Sequence, residues 1–260
     1  MEAMRETVPP AGTSDLEGHL AELATIGLED EADHVVVEAI ESMVMHPDYP
    51  CLGAHSVFRQ QNASVHVFDD LEDEGTPAEL VVRLSEFADS VDADQGFASF
   101  VALFQQPSIR DERHFERVLW QLLQRLHDAD PQPWADGISP DPEDPHFAFS
   151  VGGTGFFVVG LHPQASRIAR RAPLPTLVFN LHEQFEDLRA SGKYPRMRDT
   201  IRRRDTAVQG TVNPMVNDHG DASEAVQYSG RAVGEEWQAP FNPHSSTPED
   251  PADSAPEGQE

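Results

Sequence analysis

The chain has 260 residues, of which 38% are hydrophobic, and its 46 acidic and 18 basic residues give a formal net charge of -28. A surface of this charge repels phosphate backbones, which argues against a nucleic-acid partner. No apolar run approaches the ~20 residues that cross a bilayer, so a membrane-spanning helix is not expected. Cys51 is the only cysteine, which excludes an intramolecular disulfide and a zinc site built from several thiolates.

The shortage of lysine suggests adaptation to salt. Lys193 is the only lysine in the chain. At low ionic strength the acidic side chains of such a surface repel one another. Salt at 1 M shortens the Debye length to ~3 Å and so weakens this repulsion. We therefore expect a halophilic protein. The alternative is that the acidity serves solubility alone.

The N-terminal residues 1–30 are acidic and include Pro9-Pro10 and Gly12, which predicts a flexible acidic arm with at most a short helix. Residues 1–14 hold no apolar core of a secretory signal. Together with the single cysteine, this favours a cytoplasmic protein.

Helical spacing and alternation define the elements of the first half. Residues 50–54 are expected to form a turn. Thr76, Pro77 and Glu79 match the cap, first and third positions of a helix start. The predicted elements are a helix over 32–46, a strand over 65–68, a helix from 76 to about 91, a strand over 97–104 and a helix over 112–127.

The second half follows a proline- and aspartate-rich join over 129–145. A β-hairpin is predicted over 146–161, turning at Gly152-Gly153. The strand that follows these glycines favours a hairpin turn over a phosphate-binding loop, which needs a helix there. The remaining elements are short helices over 163–172, 183–190 and 196–204, a strand over 176–179 and a disordered acidic tail over 242–260.

Strands and helices therefore intermix along the chain. The expected fold class is mixed α/β or α+β, with one central sheet and flanking helices in a single domain over 31–241.

Two histidines follow predicted strands. His162 precedes Pro163 and an arginine-bearing segment, and His182 follows Asn180-Leu181. A metal or haem ligand suits such a position; a histidine satisfied by the backbone is the alternative. Both readings stay open from spacing alone.

Basic residues concentrate between 167 and 204, in an otherwise acidic chain. Guanidinium groups match carboxylates and phosphates, which suggests an anionic ligand such as haem propionates or a phosphorylated molecule. Internal ion pairing with the many carboxylates is the alternative. Cys51 is either a thiolate ligand, a nucleophile or an inert small residue.

Several long motifs resemble the YqcI/YcgG family across roughly 32–241. They are DPHFAFSVGGTGFFVVGLHPQASRIARR, LVFNLHEQFEDLRASGKY, IRRRD, QGTVNP, SEAVQYSG and WQAPF, together with YPCLGA around Cys51. Ala239 stands where the family usually has a cysteine before the proline near its C-terminal end, which weakens a role for a cysteine pair. Leu181 stands where it usually has a proline.

The resemblance implies a haem-dependent oxidase that N-hydroxylates a guanidine or amine such as arginine, with oxygen or peroxide as oxidant. We choose His162 as the axial iron ligand because it ends a rigid strand, with His182 and Cys51 as rivals. We expect His162 and His182 to meet in one pocket. The other candidates are Ser166, Arg167 and Arg170 as propionate partners, and Glu183, Glu186 and Glu224 as carboxylates that pair with the guanidinium.

Two other functions remain open. A non-catalytic haem-binding or sensor protein would share the ligand histidine and the arginines. A metal-free interaction protein would use the arginine-rich segment to bind an acidic partner or phosphate.

Overall fold

A computed structural model describes residues 15–92, 96–192, 194–211 and 223–243 of the chain. Positions 1–14 of the expected arm and 244–260 of the expected tail lie outside the described residues. The described ranges contain one β-sheet and the helices that flank it.

Five strands form one sheet in the order β1-β2-β5-β4-β3. The β1–β2 pair is parallel, and the pairs β2–β5, β5–β4 and β4–β3 are antiparallel. This confirms a mixed α/β protein with one central sheet. The strands are β1 (Ala63–Asp70), β2 (Ser99–Gln106), β3 (Phe149–Val151), β4 (Thr154–Leu161) and β5 (Thr176–Leu181).

Helices flank the sheet on both faces. A 3-10 turn at Leu28–Asp30 and another at Ile168–Arg170 complete the regular structure of the described residues. The helices are α1 (Leu16–Leu23), α2 (Asp33–Met45), α3 (Leu52–Arg59), α4 (Thr76–Ser90), α5 (Glu112–Ala129), α6 (His182–Ala190), α7 (Tyr194–Gln209) and α8 (Ala225–Tyr228).

Strand β2 is buried on both faces because a helical layer covers each of them. Phe100 and Phe104 contribute to the core beneath α4 and α5, whereas Val101 and Leu103 belong to the core beneath α1 and α2. The alternation of side chains along a strand sends neighbouring residues to opposite faces. The continuous apolar sequence of β2 is therefore that of a central strand.

The hairpin lies where the sequence predicts it. β3 and β4 are antiparallel, with Val151 opposite Thr154. The two residues between them, Gly152 and Gly153, have φ of 61° and 73°. A two-residue turn with both φ values positive favours glycine at both positions.

The start of α4 differs from its predicted cap. Gly75 precedes the helix without a side-chain cap, and Thr76 is the first helical residue. Its hydroxyl donates a 2.7 Å hydrogen bond to the Asp70 carbonyl at the end of β1. The threonine thus ties the strand to the helix, and Pro77 still lies in the first turn.

Residues 15–30 pack on the domain, although the sequence suggests a loose arm. Leu16, Leu20 and Leu23 of α1 are buried together with Leu28, in one core with Val36 of α2. The acidic residues between these leucines mask an apolar stripe at helical spacing.

Candidate active site

A cavity of about 310 Å³ lies between one sheet face and the helices α2, α3 and α7. This volume falls in the range of small-molecule sites, roughly 300–1,000 Å³. Its walls are mostly apolar, so a bound molecule would be shielded from water. The apolar lining includes Met43, Val57, Phe58, Val101, Phe157, Val159, Val178 and Ile201.

Cys51 lines this cavity at the start of α3. Its Sγ accepts a 3.4 Å hydrogen bond from the Ala54 backbone N–H. Burial raises the pKa of the thiol, and the N–H groups of Ala54 and Gly53 and the guanidinium groups of Arg170 and Arg204 act in the opposite direction. The surroundings thus contain the groups that stabilise a thiolate once it forms.

Arg170 lines the cavity, but its terminal nitrogens already have backbone partners. Nη1 donates to the Gly160 carbonyl at 3.1 Å, and Nη2 donates to the Gln227 carbonyl at 3.0 Å. The side chain therefore ties β4 to the α8 segment. Burial lowers the pKa of Arg170, as expected for a cation removed from water.

Ser166 and Arg167 point to other partners. The Ser166 hydroxyl donates a 2.7 Å hydrogen bond to Glu112 at the start of α5. Arg167 Nη2 lies 2.5 Å from Asp205 Oδ2 and also donates to the Thr211 carbonyl. Neither Ser166 nor Arg167 belongs to the cavity lining. The helix predicted over 163–172 is only a 3-10 turn.

His162 is buried on the α5 side of the sheet, with 1% of its surface exposed. Its ring stacks on Phe115 with 4.3 Å between ring centroids. Burial lowers the pKa of His162 to about 4, so the ring is neutral at neutral pH. Within the described residues, neither ring nitrogen has a hydrogen-bond partner. His162 does not line the cavity.

His182 and His162 lie at opposite ends of the sheet, so the prediction that they share one pocket is wrong. β4 and β5 are antiparallel, with Leu161 opposite Thr176 and Phe156 opposite Leu181. The residue after each strand therefore leaves at a different end. The individual role of each histidine stays a prediction.

Of the three candidate carboxylates, only one lines the cavity. Glu183 is exposed, and Glu186 bonds to Arg189 and lies 3.5 Å from His182 Nε2. Neither of the two lines the cavity. Glu224 is 6% exposed and does line it.

Charged groups line the cavity from α6, α7 and α8 as well. Glu224 Oε1 lies 3.8 Å from Arg189 Nη2. Arg198, Arg202 and Asp205 extend the polar lining along α7. The cavity thus combines a thiol, guanidinium groups and carboxylates with apolar walls, which suits a ligand that carries charge on an organic frame.

Sequence reasoning missed α3, because only a turn was expected over 50–54. It predicted a helix over 196–204, which α7 contains, but not which face of that helix lines the cavity. The signal for that face was the spacing of the lining residues by three and four: Tyr194, Met197, Arg198, Ile201, Arg202 and Asp205.

The described ranges contain no cluster of three or more histidine, cysteine or acidic side chains arranged to hold a metal ion. Nor does any helix among them combine the length and the apolar character that crossing a bilayer requires.

Comparisons with known proteins point to one family. No solved structure matches the chain. Two uncharacterised proteins of Bacillus subtilis (strain 168) are each 28% identical to it: YcgG over 69% of this chain and 75% of its own, and YqcI over 60% and 64%.

A third relative has a more specific name. The putative N(omega)-hydroxy-L-arginine synthase DcsA of Streptomyces lavendulae is 26% identical over 67% of this chain and 69% of its own. The YqcI/YcgG family profile matches residues 40–242, which include every side chain that lines the cavity. The chain therefore belongs to the YqcI/YcgG family.

Proposed function

We propose that the protein N-hydroxylates the guanidine group of arginine or a similar small molecule, with haem as cofactor, in the cavity between the sheet and α2, α3 and α7. The observation that carries the proposal is the lining of that cavity. It brings the Cys51 thiol, the Glu224 carboxylate and several guanidinium groups to one apolar space. The relationship to a putative N(omega)-hydroxy-L-arginine synthase supports arginine as the substrate.

The lining residues fit an iron porphyrin by the chemistry of their donors. A cysteine thiolate is a known ligand of haem iron, and guanidinium groups pair with propionate carboxylates. Cys51 is the ligand we favour, because it lines the cavity, whereas His162 packs on Phe115 outside it. Arg198 and Arg202 are the propionate partners that the lining favours. Bound haem would supply the oxidising power for insertion of an oxygen atom.

The reaction balances with either of two oxidants. With hydrogen peroxide, one oxygen atom enters the guanidine N–H bond to give N–OH, and the other leaves as water. With molecular oxygen, the same product and one water require two electrons and two protons from a reductant.

The chain's own part is to bind and orient the substrate. Glu224, which is buried beside Arg189, offers a carboxylate to the planar cation. The apolar strand residues keep water from the reacting nitrogen.

Absorption spectra and product analysis together test the proposal. Protein expressed with a haem precursor should show a Soret band and convert arginine into a product heavier by one oxygen atom when peroxide, or oxygen and a reductant, is supplied. Glu224→Gln should lower kcat/KM at least tenfold, whereas Glu38→Gln, a matched change on the exposed side of α2, should leave it unchanged.

Each other outcome has a distinct meaning. A Soret band without product under either oxidant would replace catalysis by haem binding or sensing. A colourless protein that yields no product after haem is added would overturn the proposal and favour the interaction protein.

A further inference from the structure

We propose that Asp205 is a second carboxylate, besides Glu224, that recognises the cationic, N–H-donating end of the substrate. The proposal concerns the same cavity and rests on the function proposed above. Asp205 is the last residue of the IRRRD motif, and neither the haem nor the guanidine expectation assigns it a role.

Asp205 is held at the cavity by α7 and by Arg167. It is 8% exposed and lies on the lining stripe of α7, eleven residues after Tyr194. Its Oδ2 atom accepts the short contact from Arg167 Nη2 at 2.5 Å. A side chain fixed through one oxygen has its second oxygen at a defined position.

That second oxygen, Oδ1, is buried and has no hydrogen-bond partner in the described part of the chain. A buried acceptor without a donor costs free energy, and more so when it belongs to a charged group. A guanidinium or ammonium ligand has the N–H donors that would satisfy Oδ1, with a small side-chain movement to open access to it.

The charges around the cavity also favour a cationic ligand end beside a carboxylate such as Asp205. Arg170, Arg189, Arg198 and Arg202 line it and repel a cation. A cationic end is therefore stabilised only near a lining carboxylate. In the described lining the acidic residues are Asp205 and Glu224.

Burial also prepares Asp205 for such a ligand. It raises the pKa of the Asp205 carboxyl, against the lowering effect of Arg167 and Arg170. A second cation near the carboxylate favours the ionised form further. A neutral ligand of the same shape lacks this attraction to the carboxylate, which gives selectivity for charged ligands.

A purely structural role is the alternative. Asp205 could serve only to neutralise Arg167, which also holds the Thr211 carbonyl. In that case its replacement would lower the stability of the fold without changing which ligands the cavity prefers. The ratio of two ligand affinities separates these roles.

Calorimetric titration of the purified full-length protein with arginine and with citrulline measures this ratio. Citrulline has the same length but a neutral ureido end. We expect the wild type to prefer arginine, and Asp205→Asn to reduce the preference roughly 10- to 100-fold, since one charged hydrogen bond is lost. Asp89→Asn, the same change at an exposed site on α4, should keep the wild-type ratio.

Several outcomes would overturn the proposal. If the wild-type protein binds arginine and citrulline equally, the proposal is refuted before any variant is made. If Asp205→Asn keeps the full preference for arginine, the proposal is refuted as well. If Asp205→Asn does not fold, Asp205→Glu replaces it: the displaced carboxylate should weaken arginine at least threefold and leave citrulline unchanged, and an unchanged arginine affinity would refute the role.

Product analysis separates this proposal from the function on which it rests. A preference for arginine that depends on Asp205, without any hydroxylated product, would refute the proposed enzyme activity and support Asp205 as a binding residue. Hydroxylated product with a preference that does not depend on Asp205 would support the enzyme activity and refute the role of Asp205.

Discussion

The ring of His162 stacks on the ring of Phe115, with 4.3 Å between their centroids. This contact joins the segment after β4 to the first turns of α5. The nearby carboxylates of Glu112 and Asp111 favour the protonated ring, and the Arg170 guanidinium disfavours it, but burial outweighs them all. The fold therefore requires a neutral imidazole at this position.

Acidification should destabilise the protein through His162. Burial lowers its pKa from 6.5 to about 4 in the folded state, so between these values the unfolded chain binds the extra proton. The free energy of unfolding thus falls as the pH drops from 6.5 to 4, by at most roughly 3 kcal/mol from this residue. Urea unfolding at a series of pH values measures the slope.

His162→Leu should flatten that slope because leucine does not titrate. His34→Leu, at an exposed position of α2, should leave it as in the wild type. Equal slopes for wild type and His162→Leu would show that other groups cause the acid sensitivity.

A methyl group at Gly160 should destabilise the fold by about 1–3 kcal/mol, the usual cost of overpacking a core. A Cβ there would lie 2.6 Å from Phe115 Cε1 and 2.8 Å from both Leu119 Cδ1 and the Tyr228 carbonyl oxygen. The carbonyl is backbone and cannot rotate away, so α5 and α8 would have to move.

Thermal unfolding of Gly160→Ala checks this close approach of β4 to the helices. Gly234→Ala is the matched control, because a Cβ at Gly234 meets no atom within 4 Å. Equal melting temperatures for the two variants would mean that β4 and α8 are farther apart than described.

The fold was predictable wherever one periodicity was strong. The apolar stripe of α5 and the two glycines of the hairpin are local signals, and the structure confirms both. The relation between β4 and β5 is not local. Nothing in the residues near His162 and His182 states whether the two strands run parallel, and that direction decides whether the histidines meet.

The cavity was less predictable than the sheet because its walls come from distant segments. Cys51 was a candidate from the sequence, and Glu224 was another, but only the packing of α2, α3 and α7 shows that both line one space. Asp205 gave no signal of its own in a chain with 46 acidic residues. Its burial and its contact with Arg167 distinguish it.

Replacement of Cys51 should abolish the thiolate type of haem spectrum, if the proposed cofactor is correct. Cys51→Ser keeps the size of the side chain and its place at the start of α3, but it removes the soft ligand that lines the cavity. We expect a Soret band at a different position and at least a tenfold loss of haem affinity in titrations followed by absorbance.

His162→Leu provides the comparison for that titration. Because His162 packs against Phe115 and does not line the cavity, we expect its replacement to leave the Soret position unchanged. A band that survives in Cys51→Ser and is lost in His162→Leu would restore His162 as the ligand.

Potassium chloride should stabilise the protein. The formal net charge of -28 makes the compact state repel itself, and salt shortens the range of this repulsion. We expect the melting temperature to rise by roughly 5 °C or more between 0.1 M and 2 M KCl, equivalent to about 1–3 kcal/mol.

Sucrose is the control, because it stabilises folded proteins without screening charge. Most of the increase should come between 0.1 M and 1 M KCl, because the Debye length has already fallen to ~3 Å at 1 M. Equal melting temperatures at 0.1 M and 2 M KCl would mean that the acidic surface serves solubility alone.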